Sequence, residues 1–159
     1  SFNMASFHHA EVIIPNEELR RQYNACKSLV YHTDSDVIAE AAITAAYTHA
    51  EAEMWLTDFL VVVKENYEYI CSHLLQALPE LRISPMDGTY LAWIDFVAYV
   101  KAEDMHDVFE NQCGIAPSFG EWFGGESYAT FVRLNLATSL ENIKIATNNI
   151  IQHVHPSHK

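Results

Sequence analysis

Apolar side chains at Trp55, Leu56, Phe59, Leu60, Val63, Ile70, Leu74 and Leu78 recur largely three and four positions apart, and Pro79 ends the series. That spacing is the period of an α-helix with one buried stripe. Proline lacks the amide hydrogen and clashes with the preceding turn, so the helix stops there. At about 1.5 Å per residue an unbroken helix of this kind spans roughly 40 Å. A rod of that length commonly bridges two domains. Before it a short strand and two helices are expected, and after it the pattern changes.

Upstream, Ala10 to Ile14 is apolar and β-branched, which predicts a short buried strand ended by Pro15. Asn16 then caps a helix whose first turn carries Glu17 and Glu18, where negative charge is favoured. Leu19, Tyr23, Cys26 and Val30 form its apolar stripe. A second helix is capped by Asp34, Ser35 or Asp36 and presents Ile38, Ala41, Ala42, Ala45 and Ala46 as a narrow face for close packing.

Downstream, Leu81 to Ser84 and Thr89 to Phe96 are strand-like runs joined by Pro85-Met86-Asp87-Gly88. The joint has turn chemistry, with Gly88 supplying a positive φ, so a hairpin is predicted. A helix runs from about Ala102 to Gln112 with Met105, Val108 and Phe109 inward, and Gly114 ends it. Ile115 to Pro117 is a candidate brief strand, and Gly120, Gly124 and Gly125 mark a loop. Thr130 to Leu136 is a strong strand. Thr138-Ser139-Leu140-Glu141 fits a capping box opening a last helix with Leu140, Ile143, Ala146, Ile150 and Val154 inside. Strands and helices do not alternate as βαβ units. The predicted class is therefore α+β, a mostly antiparallel sheet with helices on one face. A composition shift near residue 50 divides residues 1–50 from residues 51–159.

Half of the 159 residues are hydrophobic, a globular composition. Lys and Arg number 9 against 21 Asp and Glu, a formal charge of −12. Such a surface repels nucleic-acid backbones and anionic membranes, so neither is an expected partner. No apolar run approaches the roughly 20 residues of a membrane span. Cys26, Cys71 and Cys113 form no C-x-x-C pair. They read as reduced, mostly buried thiols of a cytoplasmic protein. His8-His9 and His153-x-His155-Pro-Ser-His158 have short spacings, yet no Cys or carboxylate is spaced to complete a tetrahedral site. No metal site is assigned. No Gly-x-Ser-x-Gly elbow or phosphate-binding Walker loop is present.

Four stretches carry a resemblance. They are Ser1-Phe2-Asn3-Met4-Ala5; Ala46-Tyr47-Thr48-His49 leading to Trp55-Leu56; Pro85-Met86-Asp87-Gly88-Thr89-Tyr90-Leu91-Ala92-Trp93-Ile94-Asp95; and Phe131-Val132-Arg133-Leu134-Asn135-Leu136-Ala137. In this order they resemble the cystathionine β-lyase-like (carbon–sulfur lyase) branch of the class I/II aminotransferase superfamily. These are fold type I enzymes dependent on pyridoxal 5′-phosphate (PLP). The resemblance spans nearly the whole chain. The loop from Gly120 to Ala129 is longer than is usual in that branch.

The resemblance implies that residues 51–159 are the C-terminal small domain of such an enzyme. Residues 1–50 would be a remnant of its large cofactor domain. The cofactor-bearing lysine would fall one residue before Ser1, and the chain has no lysine before Lys27. The chain is then a C-terminal fragment with no catalytic residue of its own, expected inactive and binding no PLP by itself. Arg133 is implied as the group that grips the α-carboxylate of an amino-acid substrate, since a planar guanidinium holds a carboxylate bidentately. Asn3, Gly88, Thr89 and Tyr90 are implied at the site's periphery, and Asn135 as support for the arginine's strand. The intact enzyme is expected to be a homodimer acting as a carbon–sulfur β-lyase or an aminotransferase. A different class stands beside this one: a non-enzymatic dimerisation or regulatory module derived from the same family. A metal-dependent enzyme using the histidines is the third.

Overall fold

The computed structural model describes residues 2, 4, 10–30 and 36–154. The chain divides into two compact units, Ser1–Leu56 and Thr57–Lys159.

The first unit is helical. α1 spans Glu17–Leu29, and Asn16 caps it by accepting the Leu19 amide hydrogen at 2.9 Å. α2 spans Val37–Thr48, with Asp36 as its cap, accepting from Ile38 and Ala39. Its inward face is Ala39, Ala42, Ile43 and Ala46, of which Ala39 is fully buried, while Ile38 is 71% exposed. The small-residue face therefore lies one step round the helix from the one expected. Residues 10–14 form no strand. A strand is stable only beside a hydrogen-bonding neighbour, and none pairs with this segment among the described residues. Nor does α1 bury any residue; Leu19, Tyr23, Leu29 and Val30 are all exposed.

α3, Ala50–Ala77, is the long helix, and it ends ahead of Pro79 as predicted. Its buried positions are Val63, Asn66, Ile70 and Leu74. The stripe is thus narrower than the sequence pattern, and Trp55 and Leu60 stay about half exposed.

The second unit is an α+β sandwich of one sheet and one helical layer. β1 (Arg82–Ile83), β2 (Leu91–Asp95), β3 (Ser118–Phe119) and β4 (Phe131–Asn135) form a sheet in the order β1-β2-β4-β3. Every neighbouring pair is antiparallel. Side chains alternate across a strand. Ala92 and Ile94, Val132 and Leu134, and Phe119 therefore share the face that is buried. Against it pack the buried residues of α3, Met105 and Phe109, and Ile143, Ile150 and Val154 of α5 (Leu140–His153).

Five local features differ from the expected ones. The left-handed residue of the β1–β2 turn is Thr89, with φ of 67°, and not Gly88. The segment after β2 is a short 3₁₀ turn at Ala102–Asp104 followed by a π-helical turn at Asp107–Gln112, with the Cys113 amide bonded to the Val108 carbonyl at 2.8 Å. Gly114 follows at φ of 64°, where glycine is free of steric cost. The cap of α5 is Ser139, which accepts from the Asn142 amide at 3.3 Å, while Thr138 Oγ1 accepts from the Asn142 side chain at 2.9 Å. The N-cap is therefore Ser139, one residue beyond the Thr138 of the expected Thr138–Glu141 box. Edge strand β3 is Ser118–Phe119 and not residues 115–117. Between β3 and β4 lie a helical turn, α4 (Glu121–Gly124), and a 3₁₀ turn at Gly125–Tyr128, where only a loop was expected.

Cys113 is buried and Cys71 partly so, but Cys26 is exposed. No helix of the described residues is long and apolar enough to cross a membrane.

Candidate functional site

Arg133 sits at the centre of β4, on the sheet face turned away from α3 and α5. Strand alternation puts it there, because Val132 and Leu134 on either side are buried among the helices. The register completes the row. Trp93 of β2 stands opposite Arg133 on one side, and Ser118 of β3 stands opposite it on the other.

The guanidinium makes two contacts across that row and the turn above it. Arg133 Nη2 donates to Ser118 Oγ at 3.1 Å. Its Cζ lies 4.5 Å from the centroid of the Phe123 ring, a cation–π arrangement. Phe123 meets Trp93 edge-on with centroids 5.8 Å apart, and Trp93 stacks on Phe131 at 5.2 Å. Tyr128 joins this group from the second turn, 5.3 Å from Phe131. Among the described residues no carboxylate forms an ion pair with Arg133. A strand arginine that serves stability is normally paired with an acid; this one is held by neutral and aromatic groups.

The turn bearing Phe123 is anchored at its start. Glu121 Oε1 lies 3.0 Å from His106 Nε2, and Glu110 Oε2 lies 3.5 Å from His106 Nδ1. The His106 ring stacks on Phe119 with centroids 3.7 Å apart. The hydrogen bond to Glu121, aided by Glu110, raises the His106 pKa above its ordinary value. Gly120 is required at the hinge of this turn. A Cβ there would run into the Tyr128 carbonyl oxygen and come within 2.7 Å of Phe131 Cβ.

Arg133 also borders a cavity of about 320 Å³. Residues 115–117, ahead of β3, form part of its wall. Its polar lining is Arg133, Ser118, Asn135, Thr138 and Asn142. Ile70, Leu91, Ile115 and Ile143 supply apolar wall. Asn135 shapes the exit of β4, its Oδ1 accepting the Ala137 amide hydrogen at 2.8 Å.

The other residues singled out in the sequence lie elsewhere. Tyr90 has the parity of Ala92, so its ring turns toward the helices and meets Phe59 of α3 at 6.1 Å. Its carbonyl accepts the Leu136 amide at 2.8 Å, which places it three pairs along the ladder from Trp93, roughly 10 Å away. Gly88 and Thr89 are exposed in the turn beyond it. Asn3 lies outside the described residues, as do His8, His9, His155 and His158. His153 Nδ1 is engaged with the Asn149 carbonyl at 2.9 Å. Among the described residues no group of His, Cys, Asp and Glu is placed to hold a metal ion. Ser118 and Phe123 carried no signal in the sequence. Trp93 could be placed on the arginine's face by alternation once the β2–β4 register is known.

No family model matches the chain. It is 26% identical over 147 residues to the cystathionine β-lyase PatB of Bacillus subtilis, a match covering 91% of this chain and 37% of that protein. It is 31% identical over 137 residues to the protein MalY of Escherichia coli, covering 85% of this chain and 34% of that protein. In fold it is similar to the PLP-bound carbon–sulfur lyase of Staphylococcus hominis, with a TM-score of 0.80 and 27% identity. That likeness covers 95% of this chain and 36% of the other. The chain therefore spans little more than a third of the length of these relatives.

The Staphylococcus hominis lyase of this comparison is PLP-bound. The residues around Arg133 do not make a cofactor site by themselves. A phosphate dianion calls for converging cations or amide hydrogens, and a pyridine nitrogen for an acid. The cavity lining holds Arg133 and uncharged residues, with no lysine and no carboxylate. That donor set suits a single carboxylate.

Proposed function

We propose, for a chain homologous to part of the PLP-dependent cystathionine β-lyases and sharing their α+β small-domain fold, that Arg133 binds the α-carboxylate of an amino-acid substrate. The observation that carries this reading is the arginine's setting. It is fixed by Ser118 and Phe123, yet no acid of the described residues neutralises it. Bidentate binding there orients the substrate, which is the protein's main contribution when a cofactor supplies the electron sink.

The whole protein then acts on an amino acid, as a carbon–sulfur β-lyase in preference to an aminotransferase. The names of the curated relatives favour the lyase. Residues 51–159 serve as the small domain and residues 1–50 as part of the large one. The intact enzyme is a homodimer.

The test is Arg133→Lys in the polypeptide read from the complete coding frame. Lysine keeps the charge and loses the fork. Charge-assisted hydrogen bonds contribute about 1.5–3 kcal/mol, so kcat/KM for a thioether amino acid should fall roughly 10- to 100-fold. An unchanged kcat/KM would sink the assignment.

A further inference from the structure

The contacts on Arg133 come from two directions and leave one clear. Phe123 covers a face of the guanidinium, and Ser118 Oγ takes one hydrogen of Nη2. Nε and Nη1 make no hydrogen bond to a described residue. A ring binds the flat face of a guanidinium, whereas a carboxylate binds its edge. The two are compatible, and the first prepares the second. A free arginine spreads over many rotamers, and a bidentate partner needs one plane.

We propose that Phe123 and Ser118 are positioning residues that hold the Arg133 guanidinium in one plane, with its free edge presented to a carboxylate. This rests on the carboxylate-binding reading of Arg133 and adds what fixes its orientation. Packing alone does not account for Phe123, since its side chain is 53% exposed. The aromatic contacts found for it are Trp93 and the arginine itself. Trp93 in turn is clamped by Phe131, so the stack is braced against the sheet. The helical turn beginning at Glu121 delivers the ring, and His106 moors that turn at Glu121.

The experiment uses the 159-residue chain labelled with nitrogen-15. The Arg133 Nε–Hε signal is assigned by its loss in Arg133→Lys. A proton held over a ring face is shifted upfield. Phe123→Leu should abolish that shift, and Ser118→Ala should broaden the signal by freeing the plane. Phe123→Trp, which keeps the packing and enlarges the ring, should move the signal further upfield. It also decides the matter if the leucine variant fails to fold. Acetate is then titrated into each. Its apparent Kd should weaken about 5-fold in Phe123→Leu and stay within about 2-fold in Phe123→Trp, the range expected for loss of a partly exposed cation–π contact. An Arg133 signal indifferent to residue 123 overturns the proposal. Acetate binding that survives Arg133→Lys overturns the carboxylate reading instead, and the Phe123-dependent signal still decides the positioning.

Discussion

The side-chain amide of Asn66 in α3 donates to the backbone carbonyl of Leu136 at 2.9 Å, seventy residues further along the chain. The same Nδ2 donates to the Thr138 carbonyl, also at 2.9 Å. Both its hydrogens are used, and two carbonyl acceptors fix which way the amide points. The residue is fully buried, and its Oδ1 has no partner among the described residues. Asn66 thus ties the end of β4, and with it the strand of Arg133, to the long helix.

Asn66→Asp tests that tie without changing shape. A carboxylate would face two carbonyls in a buried site. The expected loss at pH 7 is about 3 kcal/mol, from two unmade hydrogen bonds and a desolvated charge. The aspartate pKa would be raised in the folded state. Stability should therefore recover as pH falls, because the protonated acid can donate to one carbonyl. Urea midpoints at pH 7 and near pH 4 measure both effects. Equal losses at the two pH values would refute the account.

His106 gives the native chain a pH dependence of its own. Its folded pKa is raised, chiefly by Glu121 and further by Glu110. The clasp's contribution is complete below the unfolded value of about 6.5 and fades as pH rises through the folded pKa. The ring is nearly half exposed, so the effect is small and screened by salt. In an NMR titration the His106 midpoint should lie above 6.5, and Glu121→Gln should lower it. A midpoint unmoved by that change would count against the clasp.

Thr89 occupies a left-handed conformation that strains a β-branched residue. Thr89→Gly should stabilise the chain by about 1 kcal/mol, the strain relieved less the chain entropy that glycine adds to the unfolded state. Gly88→Ala should be close to neutral, since a Cβ there meets nothing within 4 Å. Thermal midpoints of the two variants make the comparison. A lower midpoint for Thr89→Gly would contradict it.

The first unit leaves Ile13, Leu29, Val30, Val37 and Ile38 more than 60% exposed. Such surface favours association. The 159-residue chain should self-associate, with a mass by light scattering above that of one copy at micromolar concentration. Charged replacements at Leu29 and Val37 should lower it. A clean monomer at all concentrations would rule this out.

Local signals were legible where the cause is local. Asn16 caps α1 through its own side chain, Pro79 stops α3, and Gly114 takes the positive φ. The alternation around Arg133 puts it on a strand. What could not be read depends on distant neighbours. Residues 10–14 look like a strand, but strand formation needs a partner. The Gly120–Gly125 stretch looks like open loop, yet it folds over β4 because Trp93 and Arg133 wait beneath. Thr138 and Ser139 both suit a cap, and the choice between them turns on where Asn66 grips the preceding backbone. Arg133 was singled out by its motif; Phe123 and Ser118 were beyond reach because they meet it only through sheet register and the fold of a turn.

The two outer strands, β1 and β3, are two residues each. A longer rim would offer a row of open amides and carbonyls on which another chain could template itself. Here the central pair is flanked by rims too short to nucleate such growth. Association of this chain is therefore expected to proceed through side-chain surface and not by adding strands to the sheet.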